Sequence, residues 1–140
     1  MIYNVVLNSA NRLAGTNVAN AAFNFDWSNL EEGAYELTFS FNAFTVDTNE
    51  VIVVSCPDLG VASNVFTTKS AATAQSFNNV LGVICADSSY DYITPVTQNP
   101  PIHLQTRPHS SLLTIYLYTT AGVLVELPND YVLILSLKKI

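Results

Sequence analysis

Apolar side chains return at every second position through most of this chain, and no long stretch repeats them at helical spacing. Between Ala34 and Phe44, Tyr35, Leu37, Phe39 and Phe41 point one way while Glu36, Thr38, Ser40 and Asn42 point the other. Neighbouring side chains of a strand face opposite sides of a sheet, so this pattern predicts a half-buried strand. The closing segment is more extreme. Tyr131, Leu133, Leu135 and Leu137 share one face, and Val132 and Ile134 make the other apolar until Ser136 and Lys138. A strand apolar on both faces is expected to be covered on both, inside a sandwich or under a neighbouring molecule.

The same period predicts strands at Ile2–Leu7, Ala22–Trp27, Ala34–Phe44, Val51–Cys56, Val80–Ala86, Ile102–Gln105, Leu112–Tyr118 and Tyr131–Lys138. A further strand is entertained at Val123–Leu127. Asn8-Ser9-Ala10-Asn11, Ser28–Gly33, Asp47-Thr48-Asn49 and Asp87-Ser88-Ser89 read as turns, because short polar side chains bond nearby backbone. Residues 59–79 read as a long loop with a short strand at Val65–Thr67 and a helical turn near Ala71–Gln75. Tyr90–Gln98 reads as irregular. Parallel pairing requires crossover segments that are absent here, so the sheets are expected to be antiparallel. The expected fold is all-β: an antiparallel two-sheet sandwich, a single jelly roll of about eight strands, in one domain over residues 1–140. Alternation alone does not separate a jelly roll from an immunoglobulin-like sandwich.

The chain is 49% hydrophobic and only 11% charged, against about 25% charged in ordinary soluble domains. A surface so poor in charge is expected to be buried in an assembly. Net charge is −6, and Arg12, Lys69, Arg107, Lys138 and Lys139 form no basic stripe. Direct nucleic-acid binding is therefore not expected. Lys138 and Lys139 read as a solvated chain end rather than a membrane-surface contact. No run reaches the ~18 apolar residues of a membrane span, and the N-terminus lacks the features of a signal peptide. The expectation is a protein made and kept in the cytosol. Cys56 and Cys85 lie in apolar contexts without metal-binding spacing, which favours buried free thiols over a disulfide.

Little in the sequence can do chemistry. His103 falls in a predicted strand and His109 in a loop, neither beside a nucleophile motif. Asp47 with Glu50, and Asp87 with Asp91, match no calcium loop and read as turn residues. No catalytic residue, metal or cofactor is expected. Most aromatic residues sit at strand period and read as core. Tyr116 and Tyr118 lie opposite Leu113, Ile115 and Leu117, on a face suited to a subunit contact, where tyrosine is enriched. Val132 and Ile134 are candidates for the same role.

Two segments carry a resemblance. LNSANRLAGT supplies Asn8, Ser9, Arg12, Gly15 and Thr16 ahead of Phe23 and Phe25. Near the end, Pro108 precedes a strand, then Gly122-Val123-Leu124, then PNDYVLILSL. Together they resemble small jelly-roll minor capsid and penton proteins of eukaryotic double-stranded DNA viruses: giant viruses, virophages and polinton-like elements. The match covers both ends of the chain and not its middle. It implies a non-enzymatic component of an icosahedral capsid that joins or caps major capsid protein assemblies. Its partners would be other capsid proteins and further copies of itself, as a pentamer or trimer. Its location would be the virion, after synthesis in host cytoplasm. In that setting Arg12 would anchor the N-terminal turn or a neighbouring subunit. The alternative is a carbohydrate- or receptor-binding jelly roll, such as a spike or fibre head, using Tyr90, Asp91 and Tyr92.

Overall fold

The computed structural model describes residues 2–44, 51–59, 66–68, 75–77, 80–86, 92–94, 101–119, 122–126 and 130–140. Among them are strands β1 (Ile2–Asn8), β2 (Asn20–Asn24), β3 (Tyr35–Phe44), β4 (Val51–Ser55), β5 (Phe66–Thr68), β6 (Gln75–Phe77), β7 (Val80–Ala86), β8 (Tyr92–Thr94), β9 (Ile102–Leu104), β10 (Leu112–Thr119) and β11 (Tyr131–Lys139). Short 3-10 turns cover Ser9–Asn11 and Pro57–Leu59. All pairings are antiparallel.

Eight strands make two four-stranded sheets. One runs β1-β11-β3-β9 and the other β2-β10-β4-β7. From β1 to β4 and from β7 through β9 to β11 the chain steps between the sheets, and β4 and β7 are neighbours in one. This order is that of a jelly roll, so the expected fold class holds. The short β8 bonds to β3 at Ala43 and Phe44 and to β7 at Cys85 and Ala86, stitching the sheets together at one corner. The pair β5–β6 forms a separate hairpin.

The core lies between the sheets and follows the predicted alternation. Leu113, Ile115 and Leu117 of β10 face Leu133, Leu135 and Leu137 of β11, with Tyr35, Leu37 and Phe41 of β3 beside them, and all are buried. Each such side chain contributes about 1.5–3 kcal/mol by leaving water. On the opposite face of β11, Val132, Ile134 and Ser136 are half-exposed, so within the single chain no second sheet covers it.

Several boundaries shift. β2 spans Asn20–Asn24 rather than 22–27, because Ala21 and Phe23 take the inward positions against β10. The chain then turns at Asp26, leaving Phe25 to meet Trp27 edge-on at 4.4 Å. Of the strand entertained at Val123–Leu127, residues 123–126 are described and form no strand. Gly122 at φ 87° makes a tight turn after β10, and the following residues form a single bridge, Tyr118 to Leu124. The segment 90–98 is not wholly irregular, since it contains β8. Gln75 opens β6 rather than closing a helical turn, and the rest of that turn, 71–74, lies outside the described residues, as does Asp47-Thr48-Asn49.

The two cysteines are far apart. Cys85 stands opposite Val51, and Cys56 lies five residues further along that strand direction, about 16 Å away at the usual rise. A disulfide needs Cα atoms within about 7 Å. Cys56 is a buried free thiol.

Candidate functional site

The two segments that carry the resemblance meet in one hydrogen-bonded latch. Asn8 ends β1, and its side chain accepts from the Ala10 amide at 3.0 Å, which caps the 3-10 turn. That turn directs Ser9 inward, where it is fully buried. Its Oγ donates to the Asp130 carboxylate at 2.8 Å and accepts from the Tyr131 amide at 2.8 Å. The start of β11 is thus clamped to the end of β1, the strand it already pairs with.

Arg12 completes the latch. Its guanidinium donates to the Ser9 carbonyl at 2.9 Å and the Thr16 carbonyl at 2.9 Å, and meets Asp130 at 3.3 Å. The ion pair is partly exposed and by itself stabilises little. The carbonyl bonds matter more, because they fix the path of residues 12–16. Along that path the Leu13 amide donates to the Ala22 carbonyl at 2.8 Å, and Thr16 Oγ1 accepts from the Ala22 amide at 3.4 Å. Arg12 therefore anchors the N-terminal turn within its own chain. An open hollow of about 450 Å³ lies beside it, walled by Val18, Ala19, Leu124 and Val125 with Glu126 at its rim.

Behind the latch, the Tyr131 ring stacks on Phe41 at 5.0 Å. Its hydroxyl is buried and has no hydrogen-bond partner among the described residues. Burial, reinforced by the neighbouring Cys56 thiol, holds this phenol well above its usual range. Burial also pushes the Cys56 thiol up to about 12, so it is protonated and a poor nucleophile. An unpaired buried hydroxyl is a standing cost. Tyr131→Phe should therefore leave stability unchanged or raise it by up to about 1 kcal/mol. A urea melt checks this; a clear loss would mean the hydroxyl is bonded.

The remaining predicted interface residues are on two separate outer faces. Tyr116 and Tyr118 stack at 5.8 Å, half-exposed, on the outer face of the β2-β10-β4-β7 sheet. In register they stand beside Ser55 and Val53, both buried. Val132 and Ile134 are on the outer face of the other sheet. The structure thus separates the tyrosine pair from the Val132–Ile134 pair, while Arg12 is held in the latch by Ser9 and Asp130. Lys139 is not a loosely solvated end: it bonds Glu31 at 2.6 Å, and the Ile140 amide bonds the Ala34 carbonyl at 3.0 Å. Lys138 is exposed.

Sequence reasoning missed a second anchored arginine. Arg107 donates to the Leu30 carbonyl at 2.6 Å and pairs with Glu32 at 2.7 Å, while Trp27 Nε1 donates to the Ser110 carbonyl at 2.8 Å. These bonds join segments about eighty residues apart, and no local spacing announces them.

His103 and His109 are both exposed. Among the described residues no group of three or more His, Cys, Asp or Glu side chains is placed to hold a metal, and no helix is long and apolar enough to cross a membrane. Asp47 with Glu50, and Tyr90, Asp87 and Asp91, lie outside the described residues; of Tyr92 the structure describes the β8 backbone. No protein-family model matches this sequence, and no curated protein is significantly similar to it.

Proposed function

We propose that this chain is a structural component of an icosahedral viral capsid, a minor capsid or penton protein that joins or caps assemblies of major capsid protein. The observation that carries this reading is the Ser9–Arg12–Asp130 latch within a single jelly roll. Two short segments that resemble capsid proteins, from opposite ends of the chain, act as one physical unit rather than as unrelated coincidences. The charge-poor composition supports the same reading, since such a surface is protected by burial between subunits. The chain works through its outer sheet faces and loops. Tyr116, Tyr118, Val132 and Ile134 are its contact residues, other capsid proteins and further copies of itself its partners, and a pentamer or trimer its form. A five-fold ring would use a head-to-tail interface that closes by rotation.

Purified virus particles from the source of this sequence test the proposal. Mass spectrometry should find the chain in stoichiometric amount, and an electron-microscopy map should show a single jelly roll at a vertex or between capsomers. Its absence from washed, intact particles would overturn the assignment.

A further inference from the structure

The two sheets treat their leading edges differently. The outer edge of β2 is blocked: residues 13–16 fold over it, bonding both the amide and the carbonyl of Ala22. β9 is only three residues long. β1 has seven residues, pairs with β11 on one side, and receives no other backbone bond among the described residues. Proteins ordinarily protect such an edge with charge, proline, a bulge or a covering segment. Ile2–Asn8 contains no charge and no proline, and its register with β11 runs without a shift. A row of unpaired amides and carbonyls is complementary to another extended strand.

We propose that β1 pairs with β1 of a second copy of this chain, antiparallel across a two-fold axis at Asn4. The side-chain pattern selects both partner and register. A two-fold perpendicular to the sheet pairs residues of like face. Centred on Asn4, it sets Ile2 against Val6 of the mate, Tyr3 against Val5, and Asn4 against Asn4. Ile2 and Val6 are large apolar side chains left 60% and 61% exposed in the single chain, and apolar cross-strand pairs of this kind stabilise a sheet. Centring on Val5 instead would set Val6 against Asn4 and Ile2 against Asn8, wasting both. The Asn4 oxygen already accepts from Ser136 Oγ at 2.7 Å, which orients the amide and leaves its NH2 group for the mate. Because no strand residue is charged, the self-pairing brings no like charges together. The product is a continuous eight-stranded sheet across two molecules, an isologous contact. It does not rest on the capsid reading: the pentamer or trimer named there is the form within a shell and the dimer that of the free chain, and because Val6 stands opposite Ile134 in register, the cysteine pairs below separate edge pairing from a contact through that outer face.

The test is sedimentation of the full chain with matched variants. The wild type should be dimeric, and Val6→Lys should be monomeric over the same concentration range while still unfolding cooperatively, its melt lowered only by the lost association. Val6→Thr, which keeps a branched neutral side chain, should retain the dimer. Register is tested by oxidation. Asn4→Cys should form a disulfide-linked dimer by itself, because directly opposed Cβ atoms lie about 4.5–5.5 Å apart. Ile2→Cys and Val6→Cys should cross-link only when mixed. A monomeric wild type, an oligomer indifferent to Val6→Lys, or cross-linking of Val6→Cys with itself would each overturn the proposal.

Discussion

Leu135→Ala should lower the unfolding free energy by about 2–5 kcal/mol. Leu135 sits midway along β11, opposite Val5 on one side and Phe39 on the other, and is fully buried. Its strand is held between two neighbours, so the backbone cannot close readily around a missing side chain. The cost therefore combines lost burial with an unfilled cavity. Ile134→Ala, one residue away on the half-exposed face, should cost far less. Urea or guanidinium melts of both variants, compared by midpoint at unchanged slope, measure the difference. Equal losses at the two positions would mean that both faces of β11 are interior. No loss at Leu135 would mean that the strand is not in the core.

Ser9→Ala should cost about 1–3 kcal/mol, although it removes a single oxygen. Ser9 Oγ is the acceptor for the Tyr131 amide, and that amide is buried. Without the hydroxyl, the amide loses its partner and water does not replace it. Asp130 suffers less, because it is exposed and can return to solvent. The loss should be local in origin. Hydrogen exchange at the Tyr131 amide should accelerate in Ser9→Ala more than at the amides of Leu133 and Leu135. An unchanged melt together with unchanged Tyr131 protection would show that the latch contributes nothing to stability.

The latch also shows how far a sequence can be read. Asn8 and Ser9 were legible as a turn, and Asp130 as the polar residue ahead of the closing strand. That Ser9 touches Asp130 across 121 positions was not legible, because no local period connects them. Arg107 makes the same point more sharply, since nothing near it in sequence distinguishes it from an ordinary surface arginine. β8 was missed because three residues are too few to display a period of two.

By itself, the sequence determined the long strands and their inward faces. A strand's side chains alternate, and burial rewards that alternation position by position, so Tyr35, Leu37 and Phe41 or Leu133, Leu135 and Leu137 declare their side without reference to anything distant. Only the tertiary structure decided which strands are neighbours and what covers each face and edge. Pairing, register and coverage depend on contacts between segments far apart in the chain. That is why Val132 and Ile134, apolar like the core, were found on a half-exposed surface, why the β2 edge was found closed by residues 13–16, and why the uncharged edge of β1 was found open among the described residues.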